Sequence, residues 1–175
     1  MKFKYLFILI IAFLGIGQLS AQKFGYVDTD YILGQLTEYK AAQKQLNEIS
    51  QKWESEIQTM KDAIDKLYKD YKSEEILLSP SQRKEREDAI VEKENKLREF
   101  EQEKFGVNGE LFKKRQELIK PIQSKISDAI LKVAKKNGLD FIFDKSANMN
   151  ILYSNPKFDR SDDVLDELGV TPTKD

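Results

Sequence analysis

Carboxylates and amines are the ionisable side chains with which this sequence could do chemistry. The 175-residue chain has 30 acidic and 29 basic residues but no His and no Cys. It therefore cannot build a Ser-His-Asp or Cys-His catalytic arrangement, a zinc site of the usual ligands, or a disulfide. Paired carboxylates could act as acid and base, but here they are spread along amphipathic segments, which is typical of a solvated charged face. We predict no enzyme, no metal site and no cofactor.

The stretch "ILLSPSQRKERE" contains a Ser-Pro pair, which is either a phosphorylation or partner-binding site or the start of a helix. Ser79 is a good N-cap, Pro80 suits the first helical position, and Gln82 falls where a capping box needs it. Capping accounts for all three residues. We therefore expect the tip of a helical hairpin near residues 79–81.

The segment before this tip has a single apolar stripe. Its members are three or four residues apart, which is the seam of an antiparallel coiled coil, and charged or amide side chains fill most of the other positions. The stripe consists of Leu46, Ile49, Trp53, Ile57, Met60, Ile64, Leu67 and Tyr71.

The return segment is predicted as one helix from Pro80 towards Asn137, with apolar residues every seven positions at Phe105, Phe112, Ile119, Ile126 and Val133. Gly106 and Gly109 weaken it by roughly 1 kcal/mol each relative to Ala. They are either a hinge or tolerated irregularities, and Pro121 should make a fixed kink.

Three short β-rich segments flank the predicted hairpin: residues 22–27, "DFIFD" at 140–144 and "NILYS" at 150–154. The last two should form a β-hairpin, and the first strand should pair with one of them across the helical insertion. So small a sheet leaves apolar faces and free edges, which association of several copies into a closed barrel or sandwich would cover. The residues of this oligomerisation body are Phe24, Tyr26, Val27, Phe141, Ile142, Phe143, Ile151, Leu152 and Tyr153.

The fold class is therefore α+β, mainly α, with a small β body and a long coiled-coil hairpin. We assign residues 22–36 and 138–175 to the body and residues 37–137 to the hairpin. The body ends in a short helix, with Ser161 as N-cap, Val164, Leu165 and Leu168 as the apolar face, and Gly169 as the stop.

The first 21 residues have the layout of a cleavable signal peptide. Lys2 and Lys4 precede an apolar run, and Ala21 is a small residue at the expected cleavage point. The alternative is an uncleaved N-terminal anchor. Removal of the segment would leave 27 basic and 30 acidic residues, a balance that gives no electrostatic reason to expect a nucleic acid partner.

The order of these segments resembles the Skp/OmpH-like family of periplasmic chaperones. The resemblance is carried by "GYVDTDYIL", "EYKAAQKQL", "LSPSQRKERE", "LIKPIQSKI", "DFIFDKS", "ILYS" and "DDVLDELG". It implies a homotrimer in the periplasm whose β-barrel body is built from three chains and whose three helical tentacles enclose a cavity. It also implies a holdase that keeps unfolded outer membrane β-barrel proteins from aggregating, without ATP.

The predicted tip departs from the basic character of well-known members of that family. Residues 61–99 contain ten basic and eleven acidic side chains, so contact with lipopolysaccharide or a membrane surface is left open. Residues that could contact an unfolded client, or else simply pack inside the tentacle, are Tyr68, Leu77, Leu78, Phe100 and Val107. The competing function is a coiled-coil spacer or adaptor of the cell envelope.

Overall fold

The structure, a computed structural model, describes residues 22–146 and 151–172. The predicted signal peptide lies outside these residues. No helix in the described part is long and apolar enough to cross a membrane. The elements are β1 (Phe24–Val27), α1 (Thr29–Gln35), α2 (Thr37–Glu74), α3 (Pro80–Phe105), α4 (Glu110–Asn137), β2 (Phe141–Asp144), a 3-10 turn (Pro156–Phe158) and α5 (Ser161–Glu167).

The chain divides into two units. One contains the described residues up to Ile32 together with those from Ala129 to Thr171, and the other contains Leu33–Asp128. We call them the body unit and the hairpin unit.

The sheet of the body unit pairs β1 with β2 in parallel, with Phe24 opposite Phe141 and Val27 opposite Asp144. Parallel neighbours require a crossover connection, which is here the whole helical insertion. The prediction that the first strand pairs with one of the two later β-rich segments is confirmed, and the partner is Phe141–Asp144.

The predicted third strand is wrong for its described residues, 151–154, which form no strand. Residue 150 lies outside the described part of the chain. The free edge of β1 is instead used by the segment before α5: Asp159 forms an isolated bridge with Tyr26, and the Arg160 amide donates to the Tyr26 carbonyl at 2.9 Å. Because that carbonyl is already paired, β1 does not need residues 150–154 as a neighbour.

The core of the body unit is formed by apolar residues of β1, α1, α4 and α5. Its most deeply buried side chains are Val27, Ile32, Val164 and Leu165. The C-terminal helix and its apolar face are thus as predicted, and Gly169 follows it with a positive φ of 75°.

The predicted N-cap of that helix is wrong, because Ser161 is its first residue and Arg160 occupies the cap position. The Ser161 hydroxyl accepts from the Asp28 amide at 2.9 Å, which ties the helix to the end of β1. The Ser161 amide at the start of the helix donates to the Asp159 carboxylate at 2.9 Å, which is the contact that a side-chain cap would otherwise supply.

In the hairpin unit, α2 and α3 pack antiparallel along the predicted seam. Ile64, Tyr71 and Ile90 form a buried cluster, which Leu67, Leu78 and Leu97 complete. The capping box is confirmed: the Gln82 amide donates to Ser79 Oγ, and the Ser79 amide donates to Gln82 Oε1 at 3.0 Å. Pro80 and Ser81 lie in the first turn of α3.

The predicted single return helix is wrong, because it ends at Phe105 and a new helix begins at Glu110. Gly106 caps α3 in an extended conformation, and Asn108 has a positive φ of 61°. Two glycines three residues apart make this departure from the helix inexpensive. Pro121, in contrast, lies inside α4, which continues through it.

Candidate binding surfaces

One surface is the outer face of the two-stranded sheet. Alternation and the strand register place Phe24, Tyr26, Phe141 and Phe143 on this face. The three phenylalanines are exposed there and Tyr26 is buried, whereas the buried Val27 and the half-buried Ile142 belong to the other face. The Phe141 and Phe143 rings stack with centroids 6.4 Å apart, and Phe24 lies 4.9 Å from the ring of Phe158. The sheet therefore carries three uncovered aromatic rings.

The other predicted body residues lie outside this sheet. Ile151 is half-buried, Tyr153 is exposed, and Leu152 is 99% exposed. The structure thus separates the nine residues into buried core, exposed sheet face and a segment at 151–153 that forms no strand.

Asp144 closes the end of β2 with a network of four hydrogen bonds. Its carboxylate accepts from the hydroxyl and amide of Thr29 and from those of Ser146, at 2.6 to 3.2 Å. Partial burial acts to raise the pKa of Asp144, but the bonds from Thr29 and Ser146 outweigh it and lower that pKa below its ordinary value. The carboxylate thus fastens the start of α1 to the sheet. No group of three or more acidic side chains in the described chain is arranged to hold a metal ion.

The turn between α2 and α3 exposes two aliphatic side chains. Ile76 is 91% exposed and Leu77 is 85% exposed, whereas Leu78 packs on the Ile64–Tyr71–Ile90 cluster. The turn is held by a bond from Arg83 Nε to the Leu78 carbonyl at 3.1 Å. Sequence reasoning missed Ile76, although three consecutive apolar residues beside a predicted turn were a signal that could have found it.

Basic residues around this turn are matched by acids at close range. Arg86 pairs with Glu74 at 3.5 Å across the two helices, Lys72 pairs with Glu75 at 3.0 Å, and Lys84 pairs with Asp88 at 2.7 Å. These are exposed pairs that contribute little stability. They leave no strongly basic patch of the kind that attracts anionic lipids.

An aromatic cluster joins α2 to the end of α3. Trp53 meets Phe105 edge to face with centroids 5.9 Å apart. The Lys104 ammonium lies 5.4 Å from the Trp53 ring and 5.5 Å from the Phe100 ring, and it pairs with Glu103 at 2.6 Å. That hydrogen bond to Glu103 raises the pKa of Lys104. Phe100 is therefore engaged in packing.

The helix break exposes further apolar residues beside that cluster, together with part of Phe105 itself. Val107 is 98% exposed, and Phe105 and Phe112 are exposed as well. A Cβ on Gly106 would lie 2.3 Å from the Gln102 carbonyl oxygen, and one on Gly109 would lie 2.8 Å from that of Glu103. The break is thus a backbone arrangement that only glycine permits at both positions.

The five predicted client contacts fall into two groups. Tyr68, Leu77 and Val107 are exposed, whereas Leu78 and Phe100 are partly covered by their neighbours. The exposed residues lie at the turn, on α2 and at the helix break. Sequence reasoning missed Phe105 and Phe112 because their seven-residue spacing predicts seam positions.

The fold is an α+β arrangement in which two parallel strands are joined by an inserted helical hairpin. Large apolar side chains are exposed on the sheet and on the hairpin. The described chain is thus of a class that presents apolar surfaces and no assembled catalytic group. The sequence model of OmpH-like outer membrane proteins matches residues 23–168. The chain belongs to this OmpH-like family.

The structure is similar to the crystal structure of a proposed OmpH-like outer membrane chaperone from Caulobacter crescentus CB15. The two superpose with a TM-score of 0.67 and 18% sequence identity, over 92% of this chain and 94% of that chain. At this identity the likeness shows a shared fold. No curated protein matches the sequence.

Proposed function

We propose that this protein is an ATP-independent holdase chaperone that binds unfolded outer membrane β-barrel proteins and prevents their aggregation. The single observation that carries the proposal is the set of large apolar side chains exposed at the turn and at the helix break of an otherwise charged helical hairpin. Exposed apolar patches of this kind mark interaction sites. Membership of the OmpH-like family and the description of the Caulobacter structure as a chaperone support the same function.

The proposal includes export and assembly. We infer that residues 1–21 direct the chain to the periplasm and are then removed, since they follow the three-part layout of a signal peptide. We also infer a homotrimer joined through the sheets. The exposed rings of Phe24, Phe141 and Phe143 support association of copies, and the number three comes from the family resemblance.

The binding mode is many weak apolar contacts rather than one tight site. An unfolded chain exposes alternating apolar residues and loses conformational entropy when it is ordered, so dispersed and adaptable contacts suit it better than a rigid pocket. Gly106 and Gly109 fit this role as a hinge between α3 and α4.

The test is suppression of aggregation. A urea-unfolded outer membrane barrel protein is diluted into buffer with increasing amounts of this protein, and turbidity is followed without nucleotide. We expect turbidity to disappear near one oligomer per client. Val107→Ser combined with Leu77→Ser should raise the amount required, whereas Val91→Ser, which alters an exposed valine on α3, should not.

Unchanged turbidity with folded and oligomeric protein would contradict the proposal. A spacer or adaptor of the cell envelope would then be the better reading, and the search would turn to folded partners.

A further inference from the structure

The helix break between α3 and α4 forms a groove with its own chemistry. The groove has a volume of about 310 Å³. It is lined by the apolar residues Phe105, Val107, Leu111 and Phe112, by Gly106 and Asn108 of the break, and by Arg115. Ligand pockets range from roughly 300 to 1,000 Å³. This groove is therefore at the small end of that range and suits one large side chain.

The backbone of the groove is maintained against its local preferences. Asn108 adopts a positive φ of 61°, a region that non-glycine residues occupy at a cost and that Asn tolerates best. Side chains at 106 or 109 would collide with backbone oxygens. An uninterrupted helix would avoid both constraints and would place Phe105 and Phe112 on one face. The interruption leaves both rings accessible instead, and such retained departures concentrate at functional sites.

Arg115 adds a directional charge to the apolar walls. Its neighbours are already neutralised, because Lys113 pairs with Glu110 at 3.0 Å and Lys114 pairs with Glu117 at 2.8 Å. Arg115 is exposed and forms no ion pair with the described residues. A guanidinium can lie on an aromatic face and can also hold a carboxylate.

We propose that this groove is an anchor for one aromatic side chain of an unfolded polypeptide, preferably one followed by an acidic residue that pairs with Arg115. The inference rests on the proposed holdase function and names the segment chemistry that one of its contact sites selects. A folded partner fits less well, since a stable interface buries roughly 800 Å² per partner. A groove that holds one side chain is far smaller than that.

Trp53 provides a built-in reporter for this groove. It is the only Trp in the chain, and it contacts Phe105, which forms one wall. The protein, purified as exported, is titrated with short Gly/Ser peptides that carry Phe-Asp, Phe-Lys or Ser-Asp at the centre, and Trp53 emission is recorded. We expect a saturable change with Phe-Asp, a weaker affinity for Phe-Lys, and no change with Ser-Asp.

Two variants and one control define the site. Phe112→Ser should weaken Phe-Asp binding about fivefold, the loss expected for one aromatic contact. Arg115→Gln should equalise the affinities for Phe-Asp and Phe-Lys, and as an exposed residue it leaves the packing intact. Val91→Ser should bind like the wild type.

The failures of the two proposals are distinguishable. If the wild type suppresses aggregation of the barrel protein but no peptide changes Trp53 emission, or Ser-Asp acts as well as Phe-Asp, the groove is not an aromatic anchor and the holdase proposal stands. If Phe-Asp binds as described while turbidity is unaffected, the anchor is supported and the holdase function is wrong. Trp53 emission could also change as the protein concentration is raised. If no peptide reverses that change, the groove is occupied by a second copy of the chain, and the inference is overturned.

Discussion

At the scale of single residues, one hydrogen bond links the two helices of the hairpin near its turn. The Tyr71 hydroxyl donates to Glu87 Oε1 at 2.5 Å from a buried position in the seam. This bond to the carboxylate, with burial, raises the pKa of Tyr71 to about 12. The seam pattern predicts that Tyr71 is inside but not that its hydroxyl has a charged partner, because that partner comes from the other helix.

The raised pKa predicts how stability depends on pH. Because the folded-state pKa lies above the unfolded value of about 10, the contribution of Tyr71 is complete below pH 10 and is lost as pH rises towards 12. Tyr71→Phe should therefore be less stable than the wild type near pH 8. The difference between the two should shrink at pH 11.

Urea unfolding of both proteins, followed by circular dichroism at each pH, measures this difference. The comparison with Tyr71→Phe cancels the titration of the other tyrosines and lysines. A difference that is the same at pH 8 and pH 11 would show that the hydroxyl does not donate to Glu87.

At the scale of elements, the decisive feature is the interruption between α3 and α4. Seven-residue periodicity through Phe105 and Phe112 favours a continuous helix. Gly106 and Gly109 indicate only that this helix is locally less stable. In the structure α3 ends at Phe105, with Gly106 as its cap, and α4 starts at Glu110. Periodicity could not show this, since it records which residues share a face of an ideal helix and not whether the helix is unbroken.

Gly106→Ala should destabilise the hairpin unit. Its Cβ would meet the Gln102 backbone oxygen at 2.3 Å, so the backbone has to shift. We expect a loss of about 1–3 kcal/mol, the usual range for overpacking, measured by urea unfolding with Trp53 fluorescence.

Gly34→Ala is the matched control for that substitution. Gly34 lies in α1, with nothing within 4 Å of the added Cβ, so the change should stabilise by about 0.5–1 kcal/mol. If Gly106→Ala and Gly34→Ala change the free energy of unfolding equally, the backbone at the break accommodates the added Cβ without loss of stability.

At the scale of the whole molecule, the sheet face predicts self-association. Two strands with three exposed aromatic rings present apolar area that residues 22–146 and 151–172 leave uncovered. Phe141→Asp should weaken the oligomer by about 2 kcal/mol or more per interface, the loss typical of a buried aromatic contact. Light scattering against concentration measures this, and Val91→Asp should leave the mass unchanged.

A monomeric wild type in the same light-scattering experiment would contradict assembly through the sheets. The ratio of this protein to client in the aggregation assay would then be expressed per chain rather than per oligomer.

The sequence by itself determined the features that depend on local pattern and on short range. It predicted the seam from Leu46 to Tyr71, the capping box at Ser79 and Gln82, and the pairing of the first strand with one of the two later β-rich segments. These follow from periodicity, cap chemistry and the need of a strand for a partner. The family resemblance rested on the order of the same segments.

Only the tertiary structure decided the features that depend on which groups compete for one partner. The Tyr26 carbonyl accepts from the Arg160 amide, so the segment before α5 takes the second edge of β1, and residues 151–154 form no strand. Leu78 is packed and Leu77 is exposed, although they are adjacent and equally apolar. The physical reason is that burial and pairing are set by neighbours distant in sequence, and a one-dimensional pattern records the preference of each residue but not which neighbour satisfies it.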